Sequence, residues 1–229
     1  RMFGGGMELK MNEPIYFTTY NRTSKENGLA MKEIKKKGIK KIVEGPYTFG
    51  NFMYSKGGKG KKPVFVYARG NFEEGNNLFA SYDNFKTQKQ LSDINPQQRE
   101  YNWGTVELVN WQTADDIFCE GLLFKPEDFD PNKKYPVMIY FYEKNANTLY
   151  RHRNPTPSRS TVNIPYFVSN GYVVFVPDVY FTDGHPGQSA MKSIMPGVEM
   201  LEKTYPWIDG ENMAIQGQSW GGYQVAYMI

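Results

Sequence analysis

A single cysteine, Cys119, stands among the 229 residues of the chain. An internal disulfide is thereby excluded, as is a metal site built from several thiolates, and the redox compartment stays open. Histidine is nearly as scarce, with His152 and His185 the only two. Long apolar runs are missing as well: none approaches the roughly 18 residues needed to cross a bilayer. The opening Arg1-Met2-Phe3-Gly4 has none of the apolar core of a secretory leader. No charge dominates, because 27 Lys and Arg face 24 Asp and Glu for a net charge of +3. A global field drawing the chain to nucleic acid or to a membrane is therefore absent.

What the chain does have is apolar and aromatic surface to bury. Hydrophobic residues make up 40% and aromatic residues 16% of the sequence, which favours packed globular structure over disorder. Its length suits one large domain or two modest ones. From Glu13 to about Tyr101 short strand candidates alternate with Gly, Asn and Lys turns. Ile15–Tyr20 and Val64–Arg69 lie 49 positions apart, and the same shift brings Asn27–Ala30 onto Asn76–Phe79 and Lys40–Ile42 onto Lys89–Leu91. A period of about 40 to 50 residues with several strands per unit is what β-propeller blades produce. Lysines 35, 36, 37, 40 and 41 and the run Gly57-Gly58-Lys59-Gly60-Lys61-Lys62 invite a nucleic-acid reading. Without an aromatic platform or a net basic domain they read as solvated hairpin tips and an exposed strand face, and no nucleic-acid partner is expected. Asn95-Pro96-Gln97-Gln98-Arg99 is a turn-forming linker. The expected domains are 1–102 and 103–229.

The second half changes pattern. Val106–Val109 and Ile117–Phe124 suggest an antiparallel pair, and the continuous apolar runs Tyr135–Tyr142 and Gly171–Asp178 suit central strands buried on both faces. Val162–Asn170 is amphipathic enough for a crossover helix. Ser189–Tyr205 is expected to be helical from Pro196 onward, proline being best tolerated in a first turn. Alternation at this spacing predicts a mostly parallel α/β sheet.

The last strand candidate, Asn212–Ile215, runs into Gln216-Gly217-Gln218-Ser219-Trp220-Gly221-Gly222-Tyr223, followed by the apolar stretch to Ile229. Gly217-x-Ser219-x-Gly221 between a strand and a helix is the pattern of a nucleophile elbow. A serine held on such a turn is strained and brings strand and helix together, so the flanking positions must lack side chains. The helix amino-terminus beside it carries free N–H groups that would stabilise an oxyanion.

Gly217-Gln218-Ser219-Trp220-Gly221-Gly222-Tyr223 resembles the elbow of the prolyl oligopeptidase family of serine peptidases, in which a second glycine and an aromatic residue commonly follow the pentapeptide. The resemblance implies an α/β-hydrolase fold preceded by a β-propeller, with Ser219 as nucleophile of a Ser-Asp-His triad cleaving short peptides and no cofactor or metal. It extends from about Trp111 to the end, and the preceding residues are similar to the end of the family's propeller. It implies further that Tyr142 lends its hydroxyl to the oxyanion hole, with the Trp220 backbone N–H as the other donor. Glu143-Lys144-Asn145 stands where the family commonly has glycines, a departure that touches loop geometry, and a buried core tyrosine is the alternative for Tyr142.

Both histidines precede Ser219, whereas the triad of this fold runs Ser, Asp, His. The order His152, Asp178, Ser219 belongs to a β-barrel without an elbow. Asp178, just after a strand, is expected to orient a loop. The triad acid and base are therefore expected beyond Ile229, the chain to be a fragment, and the fragment alone to be inactive. A carboxylesterase shares the elbow, and a noncatalytic binding protein could keep the architecture without the triad.

Overall fold

The structure, a computed structural model, describes residues 13–57, 59–60 and 63–229. The opening four residues and Gly58, Lys61 and Lys62 of the glycine-lysine run lie outside the described residues. Contacts divide the chain into two units, one running to Pro96 and including Tyr150–His152, the other comprising Gln97–Leu149 and Arg153–Ile229.

The first unit holds two antiparallel sheets. Strands β1 (Pro14–Tyr20), β2 (Asn27–Glu33) and β3 (Lys40–Gly45) form one, and β4 (Thr48–Ser55), β5 (Val64–Gly70), β6 (Asn77–Ser81) and β7 (Lys89–Gln90) form the other, each in sequence order. Strand starts place β5 against β1 and β6 against β2 at a shift of 50 (64 less 14, and 77 less 27), and β7 against β3 at 49 (89 less 40). The turns repeat in kind. Asn21 Oδ1 accepts the N–H groups of Thr23 and Ser24, and Asn71 Oδ1 those of Glu73 and Glu74; each asparagine thus folds its own turn through its side chain. The core-facing rings of Tyr16 and Phe65 nevertheless remain 49 apart and touch edge to face at 5.3 Å. Strand limits and side-chain facing thus differ by one residue.

Strand β4 has no clear alternation in the sequence, since Gly50 and Asn51 interrupt it. Asn51 has a φ of 50°, and the pairing of β4 with β5 slips between Gly50 and Met53. A bulge there keeps Phe49 and Phe52 packed against the cluster of Tyr16, Leu29, Phe65, Tyr67, Phe79 and Phe85. The guanidinium of Arg69 lies 3.9 Å from the centre of the Phe79 ring and 4.3 Å from that of Tyr47. Among the lysines of the β2–β3 hairpin, Lys36 pairs with Glu33 and Lys41 with Glu44. Such exposed pairs are the ordinary covering of a solvated edge.

The second unit is built on one five-stranded sheet. In chain order it has β8 (Thr105–Gln112), β9 (Phe118–Lys125), β10 (Tyr135–Phe141), α1 (Ile164–Ser169), β11 (Val173–Pro177), α2 (Pro186–Thr204), β12 (Ile208–Gly217) and α3 (Trp220–Met228). The sheet order is β12-β10-β11-β9-β8. Pairings β12–β10 and β10–β11 are parallel, whereas β11–β9 and β9–β8 are antiparallel. The sheet is therefore mixed rather than mostly parallel. The cause is the tight turn after β8, where the Thr113 N–H reaches the Ile117 carbonyl and the Thr113 hydroxyl accepts the Ile117 N–H. That turn returns the chain as a hairpin, so β9 runs antiparallel to β8 as expected from the sequence, and β9 also lies antiparallel to β11.

Helix α1 starts at Asn163, whose side chain accepts the Tyr166 N–H, with a proline in the first turn. Helix α2 starts ten residues before the sequence-based expectation. Pro186 takes the first-turn position and Pro196 lies inside the helix. Proline there removes one backbone donor, and the neighbouring turn is held from outside, because Trp111 Nε1 donates to the Ser193 carbonyl at 2.9 Å. Gly197 lets this turn approach the sheet: a Cβ on it would meet the Trp111 ring at 2.8 Å and Phe175 at 3.2 Å. Trp111, Phe175, Ile194 and Leu201 belong to the core between α2 and the sheet.

Candidate active site

Gln218 and Ser219 connect the end of β12 to the start of α3, and Ser219 has φ 54° and ψ −114°. A non-glycine residue held there is strained by about 1 to 3 kcal/mol, so the surrounding backbone has to enforce the turn. The two flanking glycines do so by direct approach. A Cβ on Gly217 would lie 2.2 Å from both the carbonyl carbon and the oxygen of Gly221. A Cβ on Gly221 would lie 2.4 Å from the carbonyl oxygen of Phe141 and 3.6 Å from Cα of Tyr142. Only hydrogen fits at either position. The strand, the helix and the neighbouring end of β10 are thus in backbone contact around one serine.

The turn leaves Ser219 exposed. The Gln218 carbonyl accepts the Gly221 N–H and the Ser219 carbonyl accepts the Tyr223 N–H. Trp220 is the first residue of α3, a position whose N–H has no acceptor within the helix. Its ring is 40% exposed, stacks on Tyr223 at 5.5 Å and meets Phe181 at 6.2 Å. Phe181 has no mark in the sequence beyond following a strand.

Tyr142 comes directly after β10, whose Phe141 is paired with Gly217 in the parallel ladder. Its side chain is 37% exposed, which sets aside the buried-core alternative. Carboxyl ends of adjacent parallel strands therefore present Tyr142 and Ser219, the edge at which open α/β sheets carry their sites. The loop after Tyr142 is tied to the end of β11. The Val179 N–H donates to the Glu143 carbonyl, and the buried Asp178 carboxylate accepts the N–H groups of Asn145 and Ala146. Burial raises the Asp178 carboxyl above its ordinary range, against the lowering effect of those two donors. Burial, with Asp178 adding to it, pushes the Tyr180 phenol up to about 12 and the Cys119 thiol up to about 11. An open hollow of about 420 Å³ is lined by Glu143, Lys144, Val179, Tyr180 and Phe181.

His152 belongs to the first unit, with Nδ1 3.2 Å from the Asn71 carbonyl. His185 sits at the start of α2, its carbonyl accepting from both the N–H and the hydroxyl of Ser189. Among the described residues, no helix is long and apolar enough to cross a membrane.

No protein-family model matches the chain. Dipeptidyl peptidase 8 of Homo sapiens is 28% identical over 128 residues, covering 51% of this chain and 14% of that protein. Dipeptidyl-peptidase 5 of Porphyromonas gingivalis is 23% identical over 234 residues, covering 93% of this chain and 31% of that protein. In sequence, the chain is thus similar to dipeptidyl peptidases. Among solved structures, the acylaminoacyl peptidase of Pyrococcus horikoshii superposes with a TM-score of 0.64 at 16% identity, over 93% of this chain and 33% of that one. The fold is thus that of these peptidases, with mixed sheets and few helices. This chain spans less than a third of the length of each of these relatives.

Proposed function

We propose that this chain carries the nucleophile and the oxyanion donors of a serine peptidase that hydrolyses short peptides through an acyl-enzyme on Ser219. The observation that carries the proposal is the left-handed Ser219 turn enforced by the Gly217–Gly221 contact. Residues 103–229 are then part of an α/β-hydrolase catalytic domain, and residues 1–102 contribute β-propeller strands. In support, the described residues of the first unit form one four-stranded and one three-stranded antiparallel sheet, each in sequence order.

In the reaction, Ser219 Oγ attacks the scissile carbonyl carbon and its proton passes to a general base. The carbonyl oxygen becomes an oxyanion that accepts from the Trp220 N–H and the Tyr142 hydroxyl. The C–N bond then breaks, the leaving amine takes the proton, and water hydrolyses the ester to restore the serine. Neither His152 nor His185 takes the base role in this reading. The relatives are peptidases by name, which favours peptide over ester substrates and an enzyme over a noncatalytic binding protein.

The test is reaction of the whole protein with a fluorophosphonate, followed by mass mapping, and turnover of dipeptidyl and aminoacyl amides beside acyl esters. Label on Ser219, its loss in Ser219→Ala, and turnover of the amides, which an esterase would leave uncleaved, are expected. Label on another residue would refute the assignment.

A further inference from the structure

Asp178 is a buried carboxylate that the reaction as written does not use. It follows β11 directly and is 3% exposed. Its Oδ1 accepts the Asn145 N–H at 2.5 Å and the Ala146 N–H at 2.9 Å. The next residue donates its own N–H to the Glu143 carbonyl at 2.9 Å. Three hydrogen bonds therefore fasten the segment that begins one residue after Tyr142. On the other side, the backbone of Tyr142 lies against Gly221 of the Ser219 turn, the distance from a Cβ built there to Tyr142 Cα being 3.6 Å. Glu143-Lys144-Asn145 contains no glycine to turn the loop tightly on its own, and the hydrogen bonds from the end of β11 anchor its course.

We propose that Asp178 is a positioning residue: by holding residues 143–146 it presents the Tyr142 hydroxyl to the oxyanion formed when Ser219 is acylated. The inference rests on the oxyanion role given above to Tyr142. A carboxylate is costly to bury, and here the N–H groups of Asn145 and Ala146 offset that cost. Both donors converge on one oxygen, and charge makes such bonds about twice as strong as neutral ones. A loop held this way has one register. The Asp178 carboxylate, by accepting the Ala146 N–H, also caps the short 3-10 turn Ala146–Thr148 from outside. A residue acting only as a cap there would support folding and leave the oxyanion donors in place.

A double-mutant cycle separates the two roles. Asp178→Ala, Asp178→Asn, Tyr142→Phe and the two double variants would be made in the whole protein. Each is assayed for kcat and KM on a peptide amide and for thermal unfolding. Asp178→Ala is expected to lower kcat about tenfold or more, with KM within about twofold, since the lost interaction belongs to the transition state. Asp178→Asn, which keeps one acceptor oxygen, should lose less, and it carries the test if the alanine variant does not fold. In the Tyr142→Phe background either change should cost less than about threefold, because the hydroxyl it positions is gone. Equal losses in the presence and absence of the hydroxyl would overturn the positioning role while leaving Tyr142 as a donor. A silent Tyr142→Phe would overturn the donor role itself, and this inference with it.

Discussion

Replacing Gly217 by alanine is the most direct perturbation of the site, because it adds one methyl group at the point where strand and helix meet. That Cβ would stand 2.2 Å from the Gly221 backbone, where ordinary contacts begin at 3.4 Å, so the turn must open by about 1 Å, the difference of the two. The obstacle is backbone on both sides, and no rotamer change relieves it. Overpacking of this kind costs about 1 to 3 kcal/mol, or roughly 2 to 12 °C in Tm for a protein of this size. Function should suffer more than folding. A displacement of about 1 Å at a reacting atom can cost on the order of a hundredfold in rate, and Ser219 lies two residues from the methyl group. Gly217→Ala is therefore expected to stay folded, with kcat/KM on a peptide amide reduced about a hundredfold and fluorophosphonate labelling slowed in parallel. A variant within about threefold of the wild type on both measures would show that the turn does not depend on this contact.

Other consequences can be checked on the same material. Gly197→Ala places a methyl group 2.8 Å from the Trp111 ring and should lower stability by about 1 to 3 kcal/mol in chemical denaturation, with wild-type rate per folded molecule. Cys119 is fully buried, with its thiol pushed up to about 11, so a thiol reagent at pH 8 should label it only after denaturant is added. Because the Asp178 carboxyl is raised in the folded state, its contribution to stability is full below the unfolded carboxylate range and falls as pH rises through the folded value. Asp178→Asn should flatten that part of the stability–pH curve. Parallel slopes for the two proteins would refute the shift.

How far the sequence disclosed this structure depends on the element. Strands β10 and β11 are legible as continuous apolar runs because both their faces are covered. The repeat in the first unit is legible because three strand candidates recur at one offset of 49, yet the sequence cannot say whether strand limits or side-chain facing set the shift. Strand β4 is hidden by its bulge at Gly50 and Asn51. The start of α2 is hidden for another reason: Pro186 and Pro196 are both credible first-turn prolines, and only the indole of Trp111 on the Ser193 carbonyl shows how an interior one is accommodated. The antiparallel pairing of β8 with β9 is legible too; what escapes is that this hairpin joins the parallel strands in one sheet, β9 lying antiparallel beside β11.

At the site, the pattern Gly217-x-Ser219-x-Gly221 discloses the turn because its glycines answer to local backbone geometry. The packing of Gly221 on the Phe141 carbonyl is not local. It joins the end of β12 to the end of β10 across the parallel ladder, and so sets the distance between the serine turn and Tyr142. A change at Gly221 would press on β10, whereas a change at Asp178 would release the loop that follows it. Both converge on the residue between them. The two oxyanion donors proposed here therefore come from elements with separate anchors, α3 through its glycines and the 142–146 loop through β11. Their alignment is a property of the sheet edge as a whole, which is why no short segment of sequence can encode it.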